Sequence, residues 1–267
     1  MQNLLDQDAR RFGAVNWMGL YTLAQRETLR FLAVWTQTLL APLVTAGLFL
    51  LIFNIAIGPS RPDVMGVPFL TFLAPGIMMM TVIQNAFANT SSSMIIAKVQ
   101  GNIVDTLMPP LSPLEILMGY LAGGIVRGIL IALVVAVALA LVLGLVPQNP
   151  LVALVFVIMG GAFLGALGLL AGIFANKFDQ MAAITNFIVT PLAFLSGTFY
   201  SVEALPPLLN RISHVNPVFY LIDGLRYGMI GVSDSAPLLG LAICGAATVL
   251  VCVVTWQMLR TGYRLKA

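Results

Sequence analysis

Six stretches of this chain run for about twenty residues or more with almost no charge: 33–57, 69–89, 114–146, 151–175, 181–199 and 237–259. Lipid offers no partner to a bare backbone N–H or C=O, so runs of this length cross a bilayer as α-helices, whose backbone bonds are internal. Composition makes the same demand. Charged residues are 9% of the chain and hydrophobic residues 60%, whereas a soluble domain carries roughly 25% charge. The spans use most of the 267 residues. The expected fold is an all-α integral membrane protein, a single domain over 1–267, with no room for a soluble catalytic unit.

With six spans both termini share a side. Arg10, Arg11, Arg26, Arg30, Lys98, Lys177, Arg260, Arg264 and Lys266 fall on it, against Arg61, Arg211 and Arg226 on the other, and the cation excess marks the cytoplasmic face. The N-terminus lacks a basic region followed by an apolar stretch and a small-residue cleavage site, so no cleaved signal peptide is expected. Residues 17–30 read as an amphipathic helix lying in the membrane interface, with Trp17, Leu20, Tyr21 and Ala24 on one face and Gln25, Arg26, Glu27 and Arg30 supplying polar groups. Residues 58–68 form a short, irregular external loop. Glycines four apart in the third span (Gly119 and Gly123, Gly124 and Gly128) and in the fourth (Gly161 and Gly165, Gly168 and Gly172) allow close helix packing. Cys244 and Cys252 lie about two turns apart on one helix and read as packing residues.

The segment after the fifth span is too long and too apolar for a simple loop. Two short helices, 203–215 and 217–230, at or dipping into the outer face fit best, and any irregular backbone there must be buried or line a wet cavity.

None of Lys98, Lys177 and Lys266 sits in a GxxxxGK[ST] phosphate loop, so ATP-driven work requires another chain. Ser196 and His214 invite comparison with intramembrane serine proteases. Both lie in one external segment, however, and no span offers a histidine base, so packing and surface roles fit them better. Met78, Met79 and Met80 are consecutive, face different directions and make a poor soft-metal site. A stand-alone carrier would need midplane acids or paired broken helices, which the pattern lacks. Arg127 stands ~18–20 Å along its helix at 1.5 Å per residue, near mid-membrane, where a charge is a functional candidate. It can meet an anionic head group in transit, or bond structurally to Gln84, Asn85 or Asn186.

Between the second and third spans lies SSSMIIAKVQGNIVDTLMPPLSPLE, 91–115. Its helix is apolar enough to lie against a membrane or a protein groove. Lys98, Gln100, Asn102 and Asp105 remain for a partner, and Pro109, Pro110 and Pro113 stiffen the link to the third span. With FLAPGIMMMTVIQNAFAN before it, AKVQGNIVDTLMPPLSPLEILMGYLAGG through it and LSGTFYSVEALPPLLNRISHVNPVFYLIDGLRYG after the fifth span, the chain resembles, over nearly its full length, the permease subunit of type-2 ABC exporters, in the YadH/NodJ-like branch.

That resemblance implies a bacterial inner-membrane exporter of two permeases and two separate ATPase subunits, with the pathway between the permeases. ATP and Mg would be bound by the ATPase, with no cofactor on this chain. Residues 98–107, with Lys98, Gln100, Gly101, Asn102 and Asp105, would form the coupling helix seated in an ATPase groove. Residues 17–30 would be the interface helix, with Glu27 and Arg30 at its charged position and Arg26 beside them. Lys177 and Asp179 would make a second contact. The helices carrying Glu203, Arg211, Asn216, Pro217, Asp223 and Arg226 would be the external re-entrant pair that closes the outward mouth. An apolar pathway suits a lipid-like, lipid-linked or amphipathic cargo, so membrane lipid is an expected partner and nucleic acid is not.

Overall fold

The structure, a computed structural model, describes residues 15–56 and 62–265. Arg10, Arg11, Arg61 and Lys266 of the charge comparison, the end of the first predicted span and part of the 58–68 loop lie outside the described residues. Among the described residues the helices are α1 (Trp17–Leu32), α2 (Thr36–Ala56), α3 (Phe69–Val99), α4 (Ile103–Leu107), α5 (Pro113–Leu143), α6 (Pro150–Phe174), α7 (Phe178–Leu195), α8 (Pro207–Val215), α9 (Pro217–Ile230) and α10 (Pro237–Thr261), with a separate 3-10 turn at Val202–Ala204 where the sequence suggests the start of one helix over 203–215. Six of them, α2, α3, α5, α6, α7 and α10, are long and apolar enough to cross a membrane, one for each predicted run. The chain passes back and forth. It therefore places α1, α4 and the ends of α6 and α10 on one face, called proximal below, and α8 and α9 on the opposite, distal face.

Local chemistry sets the ends. Proline occupies the first turn of α5, α6, α8, α9 and α10, where its missing N–H costs nothing. Ser112 and Glu115 close a reciprocal capping box at the start of α5. Gly144, at φ +65°, ends α5 three residues short of the predicted run. The largest departure is α3, which continues ten residues past the predicted end of the second span. Ser91–Val99 is thus the end of that helix and not a separate element.

α3 is the centre of the protein: 78% of its most apolar window is buried, against 6% for α2. Met78, Met79 and Met80 all lie in its core contacts. The glycine pairs divide their work. Gly124 and Gly128 of α5 face Gly165 and Gly161 of α6, whereas Gly119 and Gly123 receive Leu23 and Glu27 of α1, a partner that the spacing does not reveal. α9 is wedged inside the distal ends of α3, α6 and α10, with Phe219, Leu221, Ile222 and Leu225 fully buried. α2 and α7 each contain one wide π-turn, at Thr36–Leu40 and Thr185–Val189, a feature that often marks functional sites.

Close packing at the α3–α6 contact gives a direct test. A methyl at Gly168 would run into the Phe87 carbonyl and the Thr90 hydroxyl, and such overpacking costs about 1–3 kcal/mol. Gly168→Ala should lower the thermal midpoint of the detergent-purified protein. Gly47→Ala, inside α2 and with nothing within 4 Å of the new methyl, should leave it at or slightly above wild type, because alanine favours a helix interior over glycine.

Candidate functional site

The proximal site is built on α1. It runs alongside the first half of α5, so that Gly19, Leu23 and Glu27 meet Leu111, Gly119 and Gly123 in order. Its buried face is Leu23, Glu27 and Phe31, while Trp17, Met18 and Tyr21 stay exposed. Glu27 has no solvent exposure. It accepts from Arg26 Nη2 at 3.1 Å, Arg30 Nη2 at 3.3 Å and Ser93 Oγ at 2.9 Å. Arg30 also donates to Asn89 O at 2.7 Å and Asn89 Oδ1 at 3.1 Å on α3, and Arg26 reaches Thr106 Oγ1 at 3.2 Å on α4. Burial opposes the Arg26 charge, but Tyr120 and Glu27 outweigh it and hold its pKa above the ordinary guanidinium value. At the other end of α1, Glu115 Oε1 accepts from Asn16 N at 2.6 Å. Glu115 therefore serves the entry to α1 as well as the start of α5.

The sequence suggests one helix over 98–107. The structure breaks it at Gly101, whose φ of +75° is a left-handed conformation that glycine adopts without strain. Lys98 is consequently on the last turn of α3 and faces inward. Its Nζ lies 2.7 Å from Ile173 O, 2.6 Å from Ala175 O and 3.2 Å from Asn176 Oδ1. It caps the end of α6, where unpaired carbonyls and the helix dipole favour a cation, and Arg264 adds a bond to Phe174 O at 3.1 Å. Gln100, Gly101, Asn102 and Asp105 are exposed, as are Lys177 and Asp179 at the start of α7. α4 is held inward by Ile103 and Thr106, and it leaves Val104 50% and Met108 78% exposed beside Asp105. A cleft of about 690 Å³ lies on one side of α4, lined by Arg26, Glu27, Arg30, Ser93, Asn102 and Asp105. A second, of about 280 Å³, lies on the other and shares Arg26, Asp105 and Thr106.

Arg127 resolves to one of its expected partners: Nη2 donates to Asn85 Oδ1 at 2.7 Å. Its Cζ lies 5.9 Å from the Phe31 ring, at the end of α1. That contact corrects its depth. α2 begins at Thr36 and its 21 residues span ~31 Å, about the thickness of a hydrocarbon core. Arg127 therefore sits near the proximal boundary of the membrane and not its middle, because the 31-residue α5 overhangs on that side along α1. Gln84 and Asn85 line a cleft of about 480 Å³ with Gln37, Thr45, Thr81 and Thr190, between α2, α3 and α7. Asn186 is exposed on α7 and makes no bond to Arg127.

On the distal side the expected surface pair is partly interior. Glu203 and Arg211 are exposed, but Asp223 and Arg226 are 1% and 0% exposed and pair with each other at 3.6 Å. Asp223 accepts from Asp234 N, Ser235 N and Ser235 Oγ at 2.8, 2.8 and 2.7 Å. Arg226 donates to Gly197 O at 2.6 Å and lies 4.0 Å over the Phe72 ring. Asn216 caps α9 through Val218 N at 3.0 Å, donates to Ser196 Oγ at 2.7 Å, and precedes Pro217 at the first helical position. Ser196 in turn donates to Leu192 O, whereas His214 Nδ1 meets Asn210 O at 2.9 Å. The two residues of the protease comparison thus have separate partners. Asp234, which takes Ser201 Oγ at 2.6 Å and Val202 N at 3.0 Å, gives no sequence signal beyond its place in a turn. Asn89, one helical turn from Asn85, does give one.

The ABC-2 type transporter family matches across residues 18–230. Over 251 residues the chain is 37% identical to the inner membrane transport permease YadH of Escherichia coli strain K12, covering 94% of this chain and 98% of that protein. It is 22% identical to nodulation protein J of Sinorhizobium fredii (strain NBRC 101917 / NGR234), covering 83% and 86%.

Proposed function

The chain belongs to the ABC-2 type transporter family and is a membrane transport permease subunit. From that premise we propose that it pairs with a second copy of itself and two ATPase subunits in a bacterial inner membrane, exports a lipid-like or amphipathic cargo, and keeps both termini in the cytoplasm. The carrying observation is α4. Apolar side chains exposed outside a membrane span favour a protein partner, and Val104, Leu107 and Met108 are presented together with Asp105 on a turn anchored to α1. Lys177 and Asp179 offer a second contact on the same face. The cation excess supports the orientation: Arg26, Arg30, Lys98, Lys177, Arg260 and Arg264 are proximal. A second copy suits the exposed Gln37 and Asn186, side-chain amides for which lipid offers no hydrogen-bond partner. ATP binding by the partner and pressure on α4 would then move α1 and α5 through Thr106, Arg26 and Glu27. α8 and α9 would close the distal mouth.

Purification of the tagged chain from its host in mild detergent tests the assembly. A Walker-motif ATPase should co-purify at near one-to-one stoichiometry, and the native mass should fit two of each chain. Charging the patch with Val104→Asp and Met108→Asp should cut recovered ATPase by about tenfold or more, as for interface anchors, while the permease keeps its own thermal midpoint. Charge reversal at Lys98 is unsuitable, because it uncaps α6. A wild-type chain recovered alone and stable would count against the assembly and reopen the stand-alone carrier.

A further inference from the structure

We propose that the seam between α1, α3 and α5 is a binding site for an anionic oxygen group, a phosphate or carboxylate, supplied by a lipid head group at the proximal membrane boundary. The inference does not depend on what drives transport or on the exported cargo.

Three donors in the seam are buried without a hydrogen-bond partner: Arg30 Nε, Asn89 Nδ2 and Arg127 Nε. Asn89 has no exposure and Arg127 has 8%. Connected contacts place them together. Arg30 bonds Asn89 directly. Asn89 Nδ2 lies 3.3 Å from the point a Cβ on Gly123 would occupy, one turn before Arg127 on α5. Asn85, which accepts from Arg127, is one turn from Asn89 on α3. The seam's carboxylate does not serve them: Glu27 Oε1 takes Arg26 and Ser93, and Oε2 takes Arg30. Arg26 and Arg30 share this single acid, Arg127 has no ion-pair partner among the described residues, and the unpartnered groups are all donors.

A water molecule could accept from two of these donors but would bring no charge. A phosphate or carboxylate brings charge and several acceptors, and guanidinium groups bind it through charge-assisted bonds. Clefts flank the seam on two sides: Arg30, Glu27 and Ser93 line the proximal one, and Asn85, the partner of Arg127, lines the one toward α2 and α7. The level is that of a head group, because Arg127 lies beside Phe31, five residues before α2 begins.

The test is the thermal midpoint of the full-length protein in dodecyl maltoside, with phosphatidylglycerol, phosphatidylcholine or inorganic phosphate added at constant ionic strength. Phosphatidylglycerol at saturation should raise the midpoint by about 5 °C, and phosphatidylcholine, whose own choline cation offsets its phosphate charge, should raise it by less. The rise should vanish in Arg127→Gln. It should also vanish in Asn89→Asp, which keeps the acceptor for Arg30 and supplies the missing oxygen internally, so that its midpoint without lipid is at or above wild type. A rise with inorganic phosphate that the same variants abolish also supports the anion site, with a free anion as a further source. No rise with either probe, or a rise that persists in both variants, overturns it.

Discussion

Asp223→Ala is expected to cost about 3–5 kcal/mol of stability, the range for breaking a buried ion pair from one side. Without the carboxylate, Arg226 is left fully buried with the Gly197 carbonyl, the Phe72 ring and the charge of Asp234, to which it is not bonded, as its remaining partners. The turn before α10 also loses the acceptor for Asp234 N and Ser235 N. Adding Arg226→Met should recover most of the loss, because an apolar side chain of similar length suits the pocket and replacing both charges is often neutral. Chaotrope titration of the purified protein in detergent reads both values. A single variant within about 1 kcal/mol of wild type, or a double variant no better than the single, would show that the stranded guanidinium charge is not what destabilises the protein.

The second large effect belongs to Glu27→Gln, expected at about 3 kcal/mol, the lower end of the same range. Size is preserved, so the change isolates charge. The cost is smaller than at Asp223 because Arg26 and Arg30 keep 45% and 32% of their side chains exposed, and water screens what the carboxylate no longer neutralises. Adding Arg30→Gln should restore part of the stability. A Glu27→Gln midpoint equal to wild type would remove Glu27 as the clasp between α1 and α3.

Much of this architecture is legible because lipid imposes it. Every predicted span is a helix, and prolines mark the starts of three of them, α5, α6 and α10, and of the two short distal helices. Burial inside the protein is less legible. Asp223 and Arg226 stand one turn apart on an apolar helix too short to span, and only the wedge of α9 between α3, α6 and α10 shows that they face inward. Lys98 reads as a docking residue until Gly101 breaks the helix after it and the α6 carbonyls appear beside it. Arg127 reads as mid-membrane because counting residues along α5 assumes that the helix starts at the bilayer, and α1 holds its first turns outside. The capping box at Ser112 and Glu115 is readable in the sequence, whereas the second use of Glu115, by Asn16 99 residues away, is not.

The two wide turns carry a mechanical consequence. Each holds one residue more than a regular turn, and each interrupts a sparsely packed helix, α2 at its proximal start and α7 midway along its length. One residue is ~100° of rotation in a 3.6-residue turn. Relaxing either bulge would therefore spin the remainder of that helix about its own axis without unfolding it. Thr45 or Thr190 would swing out of the cleft they share with Gln84 and Asn85, and aliphatic neighbours would take their places. α3, α5 and α6, locked at their glycines, need not move. A cleft of this kind changes its wetting by turning its walls rather than by parting them.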